Sequence, residues 1–370
     1  LENAPVAAVV FYRALVQSGQ TAAIDALCDA LMARGMIVLP VFVSSLKDAV
    51  SAATVSALFD QAKPDVVLNT TGFAVSTAGN WQGTVLDAHG AVVLQVVLSS
   101  STLETWEQSD FGLSSRDLAM NVALPELDGK VLSRAISFKS AAEYDEFVEA
   151  PIVRHSPLAD RVDFVADLAA GWVRLRRKAA NDRNVAIVLA NYPNRDGRIA
   201  NGVGLDTPAG TIEVLQAMAG ADYVVGEIPA DGDALVRALQ AGVTNAADAG
   251  REVRATLSLN DYKRLFEALP KVIQDQVTAR WGAPEADPFW RGDQQAFALP
   301  LMRLGKVMVG IQPARGYNID PKQSYHAPDL VPPHGYFAFY FFLRDRFGAD
   351  AVIHMGKHGN LEWLPGKALA

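Results

Sequence analysis

Cys28 is the only cysteine among 370 residues, so no internal disulfide can form. Its place between Leu27 and Leu31, in a helical apolar pattern, predicts a buried core thiol in a reducing compartment. No run of 18 apolar residues exists; the most apolar stretch, 336–343, stops at Arg344, so no helical membrane span is expected. The first residues carry no basic stretch ahead of their short apolar run, so no secretory signal is visible, and a cytoplasmic location is expected. The formal charge is −8, the pI is near 5.3, and no Lys/Arg block is longer than 174–178, which leaves no nucleic-acid footprint. Gly-x4-Gly-Lys-Ser/Thr is absent too, so no Walker-type nucleotide site is expected in this chain. The chain lacks an initiator Met and stops just past its richest motif, and is expected to be a fragment of a longer protein.

What is present is an alternation of strand-like and helix-like segments. Residues 6–11 form a compact apolar run, and 21–34 follow with Ile24, Leu27, Cys28 and Leu31 at the spacing of one helix face. Gly35 closes that helix. Residues 36–43 predict a second buried strand, 47–62 a second helix, and 65–69 a third strand behind Pro64. Such alternation predicts an α/β fold of consecutive Rossmann-like or flavodoxin-like parallel-sheet units with helical insertions. The third strand ends in Asn69, Thr70, Thr71, Gly72 and Phe73, small polar residues where such sheets place ligands, although loop chemistry explains them about as well. Residues 91–98 predict another strand, and 99–130 a long irregular connection.

Near residue 150 the organisation changes. A long amphipathic helix over 158–178 and a strand over 185–190 open a second alternating unit, which continues through 223–226 and 231–239. The Gly-rich loop 191–206 contains Arg195 and Arg198 but lacks Gly-x-Gly-x-x-Gly, so a structural loop is favoured over a phosphate cradle. Two helices broken at Pro270 fill 258–282, and the Pro- and aromatic-rich stretch 281–290 suggests a second boundary. The expected domains are therefore 1–150, 151–290 and 291–370.

The last segment concentrates the chemistry. A strand over 306–311 leads to Arg315, Lys322 and His326, then to His334 at the start of an aromatic helix over 335–347. His334 is expected to be a cap or buried polar group. The apolar run 351–355 then meets His354, Gly356, Lys357, His358, Gly359, Glu362 and Trp363. In extended chain His354 and His358 would lie roughly 13 Å apart at ~3.3 Å per residue, too far for one metal. A helix would stack 354, 358 and 362, but two glycines oppose it; a turn at Gly356 would fold His358 back beside the strand end. Imidazole plus carboxylate suits divalent zinc, cobalt or nickel, and the same groups can move protons. Two His and a Glu near a turn are also compatible with ordinary polar surface. The two strands should deliver Arg315 and His354 to one edge of a parallel sheet.

The run 354–367, His-Met-Gly-Lys-His-Gly-Asn-Leu-Glu-Trp-Leu-Pro-Gly-Lys, resembles the signature of the large subunits of ATP-dependent cobaltochelatases (CobN) and, more distantly, of the large subunits of magnesium chelatases. The magnesium branch typically carries Thr-His-Gly-Ala-Leu-Glu-Phe-Met-Pro-Gly-Lys there, so Lys357, Asn360 and Trp363-Leu364 favour cobalt. Patches at 112–129, 190–208 and 279–285 resemble the same family. The resemblance implies a chelatase subunit that inserts Co2+, as substrate metal, into hydrogenobyrinic acid a,c-diamide for cobalamin biosynthesis, with ATP hydrolysed by two partner motor subunits. It implies metal or proton handling by His354, His358 and Glu362. It also implies substrate binding by Arg315, Lys322, Lys357, Lys367 and Trp363. The alternatives are insertion of Mg2+ into protoporphyrin IX, a non-catalytic tetrapyrrole-binding protein, and a two-domain sugar- or amino-acid-binding protein.

Overall fold

The computed structural model describes all residues except 1–2, 77–82, 141–142, 192–195, 203, 247, 249, 318–326, 328, 358 and 369–370, together with the side chains of Arg198, Asn201 and Glu362. The chain forms two compact units, one of residues 1–177 with 367–370, the other of residues 178–366. The composition shifts near 150 and 290 fall inside these units. The helix after the first shift packs on the first sheet, and strands on both sides of the second shift share one sheet.

In the first unit β1 (Val6–Tyr12) lies between β2 (Ile37–Val43) and β3 (Val66–Asn69). β4 (Val92–Thr102) and β5 (Val131–Lys139) continue the parallel sheet, and β6 (His155–Pro157) closes it antiparallel. The order 2-1-3-4-5-6 begins as the flavodoxin-like order, with the sequence-predicted helices on both faces. The strand pleat explains this directly. Ala7, Val9 and Phe11 face α1 (Ala22–Ala33) and α3 (Ala159–Arg177), while Ala8 and Val10 face α2 (Ala49–Ala62). Burying each such Val or Leu fully contributes roughly 1.5–3 kcal/mol.

Three expectations are corrected here. β2 is an edge strand with Ile37 and Phe42 exposed, because no described strand pairs on its far side. β5 went unpredicted, since Ser133 and Arg134 interrupt its apolar pattern. Cys28 is half-buried at the margin of the core; burial chiefly, then Asp25 and Asp29, pushes its thiol up to about 11.

The second unit is built on β7 (Val185–Leu189), whose five residues are all buried. β9 (Val307–Ile311) and β10 (Ala351–Met355) pair with it in parallel on either side, and β8 (Leu301–Leu304) adds antiparallel to β9. Val185, Ile187 and Leu189 pack toward α4 (Thr207–Gly220) and α5 (Gly232–Ala241). Ala186 and Val188 pack toward α6 (Leu259–Glu267), α7 (Lys271–Trp281) and α8 (His334–Phe341). Residues 223–226 form no strand; Val224 only accepts a backbone bond from Lys306, short of a ladder. α8 gives way to a π-helical turn at Phe342–Arg346.

Just ahead of β5, Asp128 accepts the backbone N–H groups of Val75 and Ser76 at 2.8 Å each. Lys130 Nζ lies 3.1 Å from the same carboxylate, and both side chains are essentially inaccessible. Removing one partner leaves a buried charge uncompensated. Lys130→Met is therefore expected to destabilise the protein by about 3–5 kcal/mol, measured by urea unfolding; a loss below about 1 kcal/mol would contradict this account.

Candidate functional site

The site forms where β7, β9 and β10 end. Ile311 and Met355 both stand level with Leu189, so three carboxyl ends are flush. The backbone continues that alignment: Gln312 N–H donates to Leu189 O at 2.9 Å and Ala190 N–H to Met355 O at 2.8 Å. Gly356 then turns the chain with φ near 150°. A Cβ there would come within 2.4 Å of the Ala190 Cβ, so only glycine permits this approach. The expected turn at Gly356 is thus in place; Arg315 follows β9 and His354 lies in β10, two strands of one sheet with β7 between them.

His354 is exposed, and its ring stacks on Tyr340 of α8, centroids 6.2 Å apart and 24° between planes. Tyr336 extends this aromatic wall, its centroid 5.1 Å from that of Tyr340. Lys357 is exposed beyond the turn, and Trp363 sits half-buried in the short 3-10 turn Leu361–Trp363. Arg315 is buried, and its guanidinium donates to Ala327 O at 2.8 Å, joining the two ends of the intervening loop. Lys367 belongs to the first unit, where it donates to the carbonyls of Glu107 and Ser109, with its ammonium 4.6 Å from the Trp106 ring centre. Lys322, His326, Arg195 and His358 lie outside the described residues, as do the side chains of Arg198 and Glu362. Among the described residues no three His, Cys, Asp or Glu side chains gather as a metal site.

Sequence reasoning missed what holds the motif in place. Asn360 is buried and uses both ends of its amide: Oδ1 accepts from Tyr336 Oη at 2.8 Å, and Nδ2 donates to Pro313 O at 2.8 Å. Its backbone N–H reaches Gln312 Oε1 at 3.1 Å. Asn245 ties in from another loop, donating to Gln312 O and accepting from Ala314 N–H, both at 2.9 Å. An Asn beside a glycine signals a turn in sequence; nothing local signals that it is buried.

Below the aromatic wall lies a second buried network. His334 is fully buried, with Nδ1 2.5 Å from Tyr262 Oη and Nε2 3.0 Å from Gly282 O. The carbonyl can only accept, so Nε2 carries the proton and Nδ1 accepts from the tyrosine, which keeps the ring neutral. His334 is therefore the buried polar group expected from sequence. Asp287 accepts from Tyr317 Oη at 2.7 Å, Gly335 N–H at 2.8 Å and Phe289 N–H at 2.9 Å. Burial raises its carboxyl despite these donors.

A family model described as CobN/Magnesium Chelatase matches residues 1–370. The chain belongs to the CobN/magnesium chelatase family. It is 65% identical over 367 residues to an aerobic cobaltochelatase subunit CobN of Sinorhizobium sp, covering 99% of this chain and 29% of that protein. The H-type magnesium-chelatase subunit of Rhodobacter capsulatus is 28% identical over 379 residues, covering 98% of this chain and 31% of that protein. The solved catalytic subunit of cobaltochelatase from Mycobacterium tuberculosis superposes with a TM-score of 0.82 at 34% identity, over all of this chain and 32% of that one. The chain thus spans about three tenths of the length of the relatives it matches. It has the α/β architecture expected from sequence, and among the described residues no helix is long and apolar enough to cross a membrane.

Two outcomes test this geometry. Asn360→Leu removes one hydrogen bond from the Tyr336 hydroxyl and one from the Pro313 carbonyl and is expected to cost about 2 kcal/mol. Faster amide exchange over 355–361 should accompany it, and unchanged exchange would count against the network. The second concerns acid. Burial pushes His334 below its usual 6.5, against the Gly282 carbonyl and the carboxylates of Asp287 and Glu285. Its contribution is complete above pH 6.5 and is lost as pH falls through the depressed folded value. Urea unfolding should show stability declining below that pH, and His334→Gln should lack that step.

Proposed function

We propose that this chain is part of the large, substrate-binding subunit of an ATP-dependent cobaltochelatase that inserts Co2+ into hydrogenobyrinic acid a,c-diamide during cobalamin biosynthesis. The observation that carries this reading is His354, exposed on the Tyr340 ring at the flush carboxyl edge of three strands, in a chain 65% identical to a CobN protein. The far lower identity to a magnesium-chelatase protein favours cobalt over magnesium.

Metal insertion needs a flat ring held in place, protons removed from ring nitrogens, and a partly desolvated divalent metal presented to them. In this proposal the half-buried Tyr340, beside the exposed His354, offers an aromatic edge to the macrocycle. His354, with His358 and Glu362 of the same sequence motif, takes the metal or the ring protons. Lys357 and Lys322 pair with carboxylates of the substrate, Trp363 adds apolar surface, and Arg315 anchors the chain at Ala327. Two partner motor subunits hydrolyse ATP, and this chain holds no nucleotide.

The test uses the full-length protein with its partner subunits, ATP and Co2+. His354→Ala, His358→Ala and Glu362→Ala should each lower cobalt insertion by about 100-fold or more. Corrinoid binding, followed by tryptophan quenching, should persist. Preference for protoporphyrin and Mg2+ would overturn the cobalt assignment, and corrinoid binding without any metal insertion would indicate a carrier.

A further inference from the structure

The first unit carries a feature that neither its core nor its carboxyl edge uses. Residues Glu143–Asp145 and Ala150–Ile152 form a two-stranded antiparallel hairpin that joins no other strand among the described residues. Its tip is apolar and bare: Phe147 is 96% exposed, Tyr144 65% and Val148 55%. The turn that displays them is locked, because Asp145 Oδ1 accepts the backbone N–H groups of Phe147 at 2.9 Å and Val148 at 3.1 Å. A free two-stranded hairpin is marginal in water, and a fully exposed phenylalanine gains nothing there.

The charge around the tip says what it meets. Glu143, Asp145, Glu146 and Glu149 surround the three apolar side chains, and no Lys or Arg occurs from 143 to 153. Four carboxylates repel phosphate, which excludes nucleic acid and an anionic membrane surface. A second copy of the chain is a poor acceptor as well, since three of the four basic residues in its run 174–178 are engaged internally. Arg176 holds the carbonyls of His89 and Gly90, Arg177 holds Asp65, and Lys178 holds Asp350.

We propose that this hairpin is a docking arm for a partner subunit of the chelatase, which receives Phe147 in an apolar pocket rimmed by Lys or Arg. The inference rests on the chelatase reading, because it needs a partner subunit. Apolar burial at the centre supplies the affinity, and the acidic ring steers the encounter and makes it salt-dependent.

The experiment measures association of the full-length protein with its purified partner subunits by biolayer interferometry at low and high salt. Hydrogen exchange of 143–152 is followed with and without them. The hairpin should exchange freely in the isolated protein and become protected on assembly. Phe147→Ser and the pair Glu146→Lys, Glu149→Lys should each weaken association about tenfold or more. Corrinoid binding should stay unchanged, and cobalt insertion should recover at high partner concentration. The charge-reversed pair should also lose the salt dependence. Protection already complete in the isolated protein would show that the rest of its own polypeptide covers the arm and would overturn the proposal. So would variants that associate like the parent, or protection by phosphatidylserine vesicles instead of the partners. Corrinoid binding and cobalt insertion in the same preparations report on the chelatase reading separately, so a failed arm with intact chelation condemns the arm alone.

Discussion

The contact of Gly356 with Ala190 is the constraint on which the second unit's chemistry depends. Three parallel strands end at one level, and the chain leaving β10 can turn across the end of β7 only where no side chain intervenes. Without that approach the segment after Met355 would run on past the sheet. With it, the residues that follow stay at the carboxyl edge, next to the aromatic face of α8.

Packing then divides labour between neighbouring residues. Of the same short motif, His354 stands exposed on a tyrosine ring, while Asn360 is buried and fully committed to hydrogen bonds. The exposed group is able to exchange protons or metal; the buried one fixes where the turn sits. Lower in the unit, His334 shows the opposite fate for the same side-chain type, since its two nitrogens are taken up by Tyr262 and Gly282 in an apolar core. Burial and partners, more than residue identity, decide which histidine is available for chemistry.

The layout of the fold was largely legible in the sequence because each signal is local. Apolar runs of strand length, helical spacing at Ile24, Leu27 and Leu31, and a helix stop such as Gly35 act within a few residues. β5 escaped because Ser133 and Arg134 break its pattern, and β2 was mistaken for an interior strand because its apolar content does not reveal which strand ends a sheet. At the candidate site the turn at Gly356 and the place of His354 near a strand end were legible, whereas the inward course of Arg315 was not, since an arginine in a loop gives no sign of which carbonyl it will reach.

By itself, then, the sequence determined the alternating elements, the glycine turn, the set of chemically able residues after 350 and the family they resemble. Only the tertiary structure decided that β7 lies between β9 and β10, that Asn360 meets Gln312 and Pro313 from 48 and 47 residues away, and that Tyr340 backs His354. The physical reason is range. Backbone preference and periodicity act over neighbours, while sheet order and buried hydrogen bonds arise from groups that meet only when distant segments pack and must satisfy one another away from water.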